Sequence, residues 1–174
     1  MTTAEIKELV SKYKMSDNRD GNIRINVKPS KTEFEKIKAA KSEILAYFKS
    51  EREKAAAEEQ AKEDRFNAIP GVVELGKARK AMADYQDKFD KAIYSGSGIF
   101  PVKPNVDVEA IEHRYPIAVW ALEVQHKVWY SENYEIMGIA KDAYDRLRNG
   151  DDPETVKDDY AKSMSDFADR HIWD

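Results

Sequence analysis
The sequence predicts a mainly α chain with a minor β element. It reads as a small helix–β–helix N-terminal module, a long connecting helix and a C-terminal helical bundle. Three observations predict this. Charged residues make up 36% of the 174 positions and hydrophobic ones 41%, with only seven glycines; average globular domains are about a quarter charged, so the excess points to long solvated helices. Apolar residues recur at helical spacing through most of the chain. A single stretch, Ile23-Arg24-Ile25-Asn26-Val27, instead alternates apolar and polar, the period of a half-buried strand. The expected divisions are residues 1–50, 51–68 and 69–174.

The front module opens with Thr2 and Glu5 at capping-box spacing, where hydroxyl and carboxylate satisfy two free N–H groups reciprocally. Ile6, Leu9, Val10 and Tyr13 follow on one helical face. Asp17 to Asn22 is dense in turn formers, and Gly21 is free to take positive φ. The strand 23–27 follows and Pro29 ends it. Ser30 or Thr32 can cap a second helix, Ser30 with Glu33 three residues on, and Phe34, Ile37, Ile44, Leu45 and Phe48 supply its apolar face. One strand is not stable alone. Its expected partner is a short strand within residues 14–18, or a strand from another chain.

Residues 49–66 carry no glycine or proline, and nearly all are strong helix formers. They have almost no apolar stripe before Phe66, as expected of a solvated spacer or a lever between binding surfaces. An unbroken helix over 31–67 would be roughly 55 Å long.

Ile69-Pro70-Gly71 is a break. A helical stripe then runs from Val72 to Tyr94, and Ser95-Gly96-Ser97-Gly98 stops it. The extended apolar run 99–104 is expected to lie across the bundle. Asp107 caps a short helix through Tyr115, and Pro116 breaks it or enters the first turn of the next. Residues 117–148 read as the strongest helix, apolar on more than one face and therefore central. The aromatics Trp120, Trp129, Tyr130 and Tyr134 fall at helical spacing and are expected in the core, although such side chains can also stack on bases. Asn149-Gly150 ends that helix, and Asp152-Pro153 starts the last one, with Val156, Tyr160, Met164 and Phe167 packing it. The final Ile172-Trp173 pair is expected to dock on the bundle.

Composition narrows the function classes. The absence of cysteine removes disulfides, a cysteine nucleophile and thiolate metal sites. There are three histidines and one Glu-x-x-His, Glu123 to His126, where a di-metal carboxylate bundle needs that motif twice. No Gly-rich phosphate loop or nucleophile elbow is present. No catalytic residue, metal ligand or cofactor is expected. No apolar run nears the roughly 20 residues of a membrane span. The polar start is unlike a signal peptide, so a cytoplasmic location in a bacterial host cell is expected.

Net charge is −4. Residues 1–66 carry 15 Lys+Arg against 13 Asp+Glu, and residues 67–174 carry 14 against 20. The two segments thus have different surfaces. Lys28, Lys31, Lys36, Lys38 and Lys41 cluster around the start of the second helix, with Lys31 and Lys38 seven apart on one face. Point charges of this kind suffice for phosphate contacts.

The front segment resembles the N-terminal docking domain of the TubC type found on assembly-line synthetases. The match covers residues 3–50 and rests on Ile6, Leu9, the strand Ile23 to Val27 and the run Lys41-Ser42-Glu43-Ile44-Leu45-Ala46-Tyr47-Phe48. The resemblance implies peptide docking by β-strand addition and self-association as a homodimer. No synthetase domain follows, which limits the expectation to a small interaction module. The whole chain also resembles small accessory proteins of phages and prophages, anti-CRISPR proteins among them. That resemblance rests on the front module, the charged Ala/Glu/Lys helix, the Ile-Pro-Gly break and the His-Ile-Trp-Asp end. It implies a non-enzymatic inhibitor of a host defence nuclease, with Cas9 or its ribonucleoprotein the leading partner. The alternative expectation is a nucleic-acid-binding accessory protein acting through the lysine-rich module. The expected contacts are Ile23, Arg24, Ile25 and Val27 on the strand, with Lys31, Lys38 and Lys41 beside it.

Overall fold
A computed structural model describes residues 1–18, 20–96 and 98–171. Among them are eight helices and one two-stranded antiparallel sheet. The chain divides into two compact units, Met1–Gln60 and Ala61–Asp174. The mainly α class with a minor β element is therefore the observed one.

The first unit holds α1 (Thr3–Lys12), β1 (Ser16–Asp17), β2 (Ile23–Arg24), α2 (Lys31–Ala39) and the start of α3 (Lys41–Asn67). Both capping boxes form: Thr2 with Glu5, and Ser30 with Glu33. α1 stops without a glycine. The Met15 N–H bonds the Val10 carbonyl at 2.9 Å and the Lys14 N–H bonds that of Ser11 at 3.2 Å, a Schellman closure that puts Lys14 at φ 46°. A lysine there carries a left-handed backbone that glycine usually supplies. The closure sends Met15 inward, where it joins Ile6, Tyr13, Ile37, Ala40 and Ile44 in one buried cluster.

Three expectations are corrected in this unit. The strand is Ile23–Arg24 alone, not 23–27. Beyond it, the N–H groups of Asn26 and Val27 both donate to the Tyr13 carbonyl at 3.2 Å, and the Asn26 amide donates to that of Lys14 at 2.7 Å, so the backbone turns onto the end of α1 instead of extending the ladder. The helix over 31–67 is broken at Ala40. The break is one residue, Ala40 at φ −92° and ψ 11°, with Ala40 N–H bonding the Lys36 carbonyl at 3.0 Å and its own carbonyl accepting from Ile44 N–H at 2.9 Å, so Ile37, Ala40 and Ile44, at helical spacing, still share the buried cluster. Phe34 is 48% exposed and not part of that core.

The second unit holds the end of α3, then α4 (Val72–Ser95), α5 (Val108–Arg114), α6 (Pro116–Tyr130), α7 (Tyr134–Asn149) and α8 (Pro153–His171). Its core gathers Phe66, Leu75, Val124, Leu147 and Val156, all nearly inaccessible. Ala118 and Ala121 of α6, and Ala140 and Ala143 of α7, are also buried. Side chains this small let two helix axes come close, and α6 packs against α7 more extensively than any other pair here. Asp107 caps α5 through the Ala110 N–H at 3.0 Å. Gly150 at φ 94° closes α7, and Asp152 accepts from the Thr155 N–H at 3.0 Å at the start of α8.

Three further expectations are corrected. Residues 117–148 form two helices, not one. Asn133 accepts from the N–H groups of Glu135 and Ile136 at 2.9 and 3.1 Å, which starts a new helix and lets α6 and α7 fold back as a hairpin. In the run 99–104, Ile99 and Val102 are largely exposed, and the Phe100 ring meets α4, 5.4 Å from Phe89. Trp129, Tyr130 and Tyr134 are exposed at the α6–α7 turn, while Trp120 alone of the four packs on the core. The hairpin causes this, because the turn carries the ends of both apolar stripes beyond the packed layer. Ser97 and the Ile172-Trp173 pair lie outside the described residues.

Candidate protein-interaction site
In the first unit the hairpin and α2 position the candidate contacts. Ser16 pairs with Arg24 and Asp17 with Ile23. The Asn18 N–H donates to the Asn22 carbonyl at 3.1 Å. Hydrogen-bonded and non-hydrogen-bonded pairs alternate in an antiparallel ladder, so Asp17 and Ile23 form a non-hydrogen-bonded pair. The backbone N–H and C=O of Ile23 therefore turn away from β1, toward the outer edge. The side chains divide by burial, with Val27 beyond the point where the backbone turns at Asn26. Ile23 and Ile25 are half-buried and pack on the small core, while Arg24 and Val27 are exposed. The two isoleucines thus anchor the strand, and contact by side chain falls to Arg24 and Val27.

Lys31 and Lys38 are exposed on α2 and have no ion pair among the described residues. Lys41 belongs to the next helix, because α2 has ended, and its ammonium reaches the Asn22 side-chain oxygen at 3.4 Å. The structure thereby brings Lys41 to the hairpin loop. Arg52 of α3 forms an ion pair with the nearly inaccessible Asp17 carboxylate, tying β1 to the long helix.

Glu33 fastens α1 to α2. One carboxylate oxygen takes the Lys12 ammonium at 2.7 Å, and the other takes the Ser30 hydroxyl at 2.5 Å and the Ser30 N–H at 3.2 Å. The Lys12 contact first, and the Ser30 hydroxyl second, hold its carboxyl far below the usual range, while Lys12 is pushed up by the same pair. Because folding lowers the carboxyl from its ordinary value of 4.5, its contribution is full above that pH and is lost as pH falls toward the folded value. Glu33→Gln is expected to lower the melting temperature of the first unit at pH 7 and to show a clearly smaller deficit at pH 2.5, part-way through the window in which the contribution is lost. Melts followed by circular dichroism at both pH values check this. An equal deficit at both would mean that the carboxylate charge is not what joins the helices.

The second unit carries the residues that periodicity misassigned. Trp129, Tyr130 and Tyr134 are 69%, 72% and 84% exposed. His126 stacks on Tyr130 with centroids 4.6 Å apart. A groove of about 450 Å³ is lined by Trp129 and Tyr130, though not Tyr134, together with Gly76, Arg79, Leu122 and Glu123. The sequence signal for these aromatics was Ser131 and Asn133, a helix start between two apolar stripes.

Among the described residues, no three His, Asp or Glu side chains converge as a metal site, and no helix is long and apolar enough to cross a membrane. No family model, curated protein or solved structure matches the chain.

Proposed function
We propose that the chain is a non-enzymatic protein-binding accessory protein that inhibits a host defence nuclease, with a CRISPR nuclease of the Cas9 type as the leading target. The observation that carries the binding reading is the outer edge of β2. Unpaired edge groups accept an extended partner segment by strand addition, and flanking side chains supply selectivity. Arg24, Val27, Lys31 and Lys38 stand exposed on the same small unit. Inhibition follows if the bound chain covers a surface that the nuclease needs, with no chemistry of its own. The choice of target rests on the resemblance to anti-CRISPR proteins.

The test is capture of Cas9 with guide RNA on the tagged full chain, before and after RNase and DNase. Capture that survives both nucleases, and falls at least tenfold with Arg24→Glu/Lys31→Glu, is the expected result. Cleavage of target DNA by the captured nuclease should fall in proportion. No capture of Cas9 or of other defence nucleases would overturn the proposal.

The second reading, a nucleic-acid-binding accessory protein, is favoured by one observation. Lys28, Lys31, Lys36 and Lys38 are all exposed without an ion pair among the described residues. Recovery of nucleic acid alone, lost on nuclease treatment and on Lys31→Glu/Lys38→Glu, would put this reading first.

A further inference from the structure
We infer that the aromatic corner of the second unit, Trp129, Tyr130 and Tyr134, is a docking surface for an arginine-bearing basic segment of a partner protein. The inference rests on the reading that the chain acts by binding protein, and it places a second contact in a different unit from β2.

Three large aromatics exposed around one turn are unusual for a protein surface, where apolar groups of this size are normally scattered singly. They sit at the two sides of a three-residue connection, which keeps their backbones close in the chain. Trp and Tyr are the side chains most enriched at energetic centres of interfaces, and arginine is the third. Charge selects the partner. Arg79 is neutralised by Glu112, which accepts from its Nε at 2.9 Å and its Nη2 at 2.6 Å. Lys127 is turned to Tyr160, 3.2 Å from the hydroxyl. Arg170 pairs with Glu135 at 2.5 Å. Glu123 and Glu132 remain, both exposed and without an ion pair among the described residues. The corner therefore offers π faces beside free carboxylates. A guanidinium matches both, since it stacks flat on an aromatic ring while its N–H fork meets a carboxylate. The carboxylates repel a polyanion, and the excess of acid over base in residues 67–174 repels it further.

The test uses the full chain and defined probes, nona-arginine and nona-lysine, titrated by calorimetry at 150 mM salt. The wild type is expected to bind nona-arginine about fivefold more tightly than nona-lysine. Trp129→Ala/Tyr134→Ala should weaken nona-arginine about tenfold, on the scale of lost cation–π contacts, and nona-lysine less than twofold. Tyr134→Ala alone, at an 84% exposed position, should show the same direction with an unchanged melting temperature. Equal binding of the two peptides, or equal weakening of both, would reduce the effect to net charge and overturn the inference. So would tighter binding of an oligo-dT strand, lost in the double variant, which would give the corner to single-stranded nucleic acid. Arg24→Glu/Lys31→Glu is the control in the other unit and should leave peptide binding unchanged. Peptide selectivity without nuclease capture would sink the proposed target and keep the corner. Capture with no peptide selectivity would do the reverse.

Discussion

Phe66→Ala is expected to destabilise the second unit by about 3–5 kcal/mol, the range for removing a buried aromatic ring. Phe66 is 1% exposed and meets Tyr144 edge-on, with centroids 5.1 Å apart and planes at 78°. Two terms add. The lost transfer energy of the ring comes with a cavity, because Leu75, Val124 and Leu147 stand on different helices and cannot all close in. The aromatic pair adds about 0.5–1.5 kcal/mol beyond burial. Urea unfolding with separate probes for the two units measures it. The midpoint for the second unit should fall with its slope unchanged, while the first unit keeps its own midpoint. Phe66→Leu should cost about a third as much. A loss below 1 kcal/mol for Phe66→Ala would mean that the end of α3 is not part of this core.

Phe66 also shows where sequence reasoning is strong. A lone aromatic after a long charged run, followed by Ile-Pro-Gly, marks the point where a solvated helix becomes an anchored one. Local signals of this kind were legible throughout. Thr2, Ser30 and Asp107 announce helix starts because a hydroxyl or carboxylate accepts free N–H groups within three residues. Gly150 announces a stop through its backbone freedom. Where the deciding interaction is distant or unmarked, the reading failed. Lys14 closes α1 in a conformation that glycine would have advertised. Asn26 ends the strand by bonding to the end of α1, a contact that alternation along 23–27 does not encode. Ser131 and Asn133 interrupt a continuous helical period, and the period dominated the reading of residues 117–148. The same cause hid the aromatic corner. Periodicity says that Trp129 and Ile136 lie on apolar stripes, but it does not say which end of a stripe the neighbouring helices reach. Of the candidate contacts on the strand, alternation puts Ile23, Ile25 and Val27 on one half-buried face; Ile23 and Ile25 do pack on the core of their own unit, while Val27, past the turn at Asn26, is exposed with Arg24.

Gly71→Ala is expected to cost about 2–5 kcal/mol, for two separable reasons. The residue begins α4 at φ 87°, where an L side chain is strained by roughly 1–2 kcal/mol. The larger obstacle is steric. A Cβ at Gly71 would lie 2.3 Å from Tyr115 Cγ and 2.5 Å from its Cβ. A change of rotamer can move Cγ, but Cβ is fixed to the backbone, so no rotamer clears the contact. Tyr115 joins α5 to α6, and moving it would shift the start of the helix that carries Ala118, Ala121 and Val124 into the core. Overpacking of this kind adds about 1–3 kcal/mol. Gly21→Ala isolates the first term, because Gly21 is also left-handed at φ 80° but has nothing within 4 Å of a built Cβ. It should cost no more than about 2 kcal/mol, and the difference between the variants is the clash. The double variant Gly71→Ala/Tyr115→Gly should then cost less than the sum of its parts, since Tyr115→Gly removes both the Cβ and the Cγ that the new methyl would meet. Strict additivity, or equal costs at Gly71 and Gly21, would show that the Ile-Pro-Gly break is a turn like any other and not the point where α4 is seated against the α5–α6 junction.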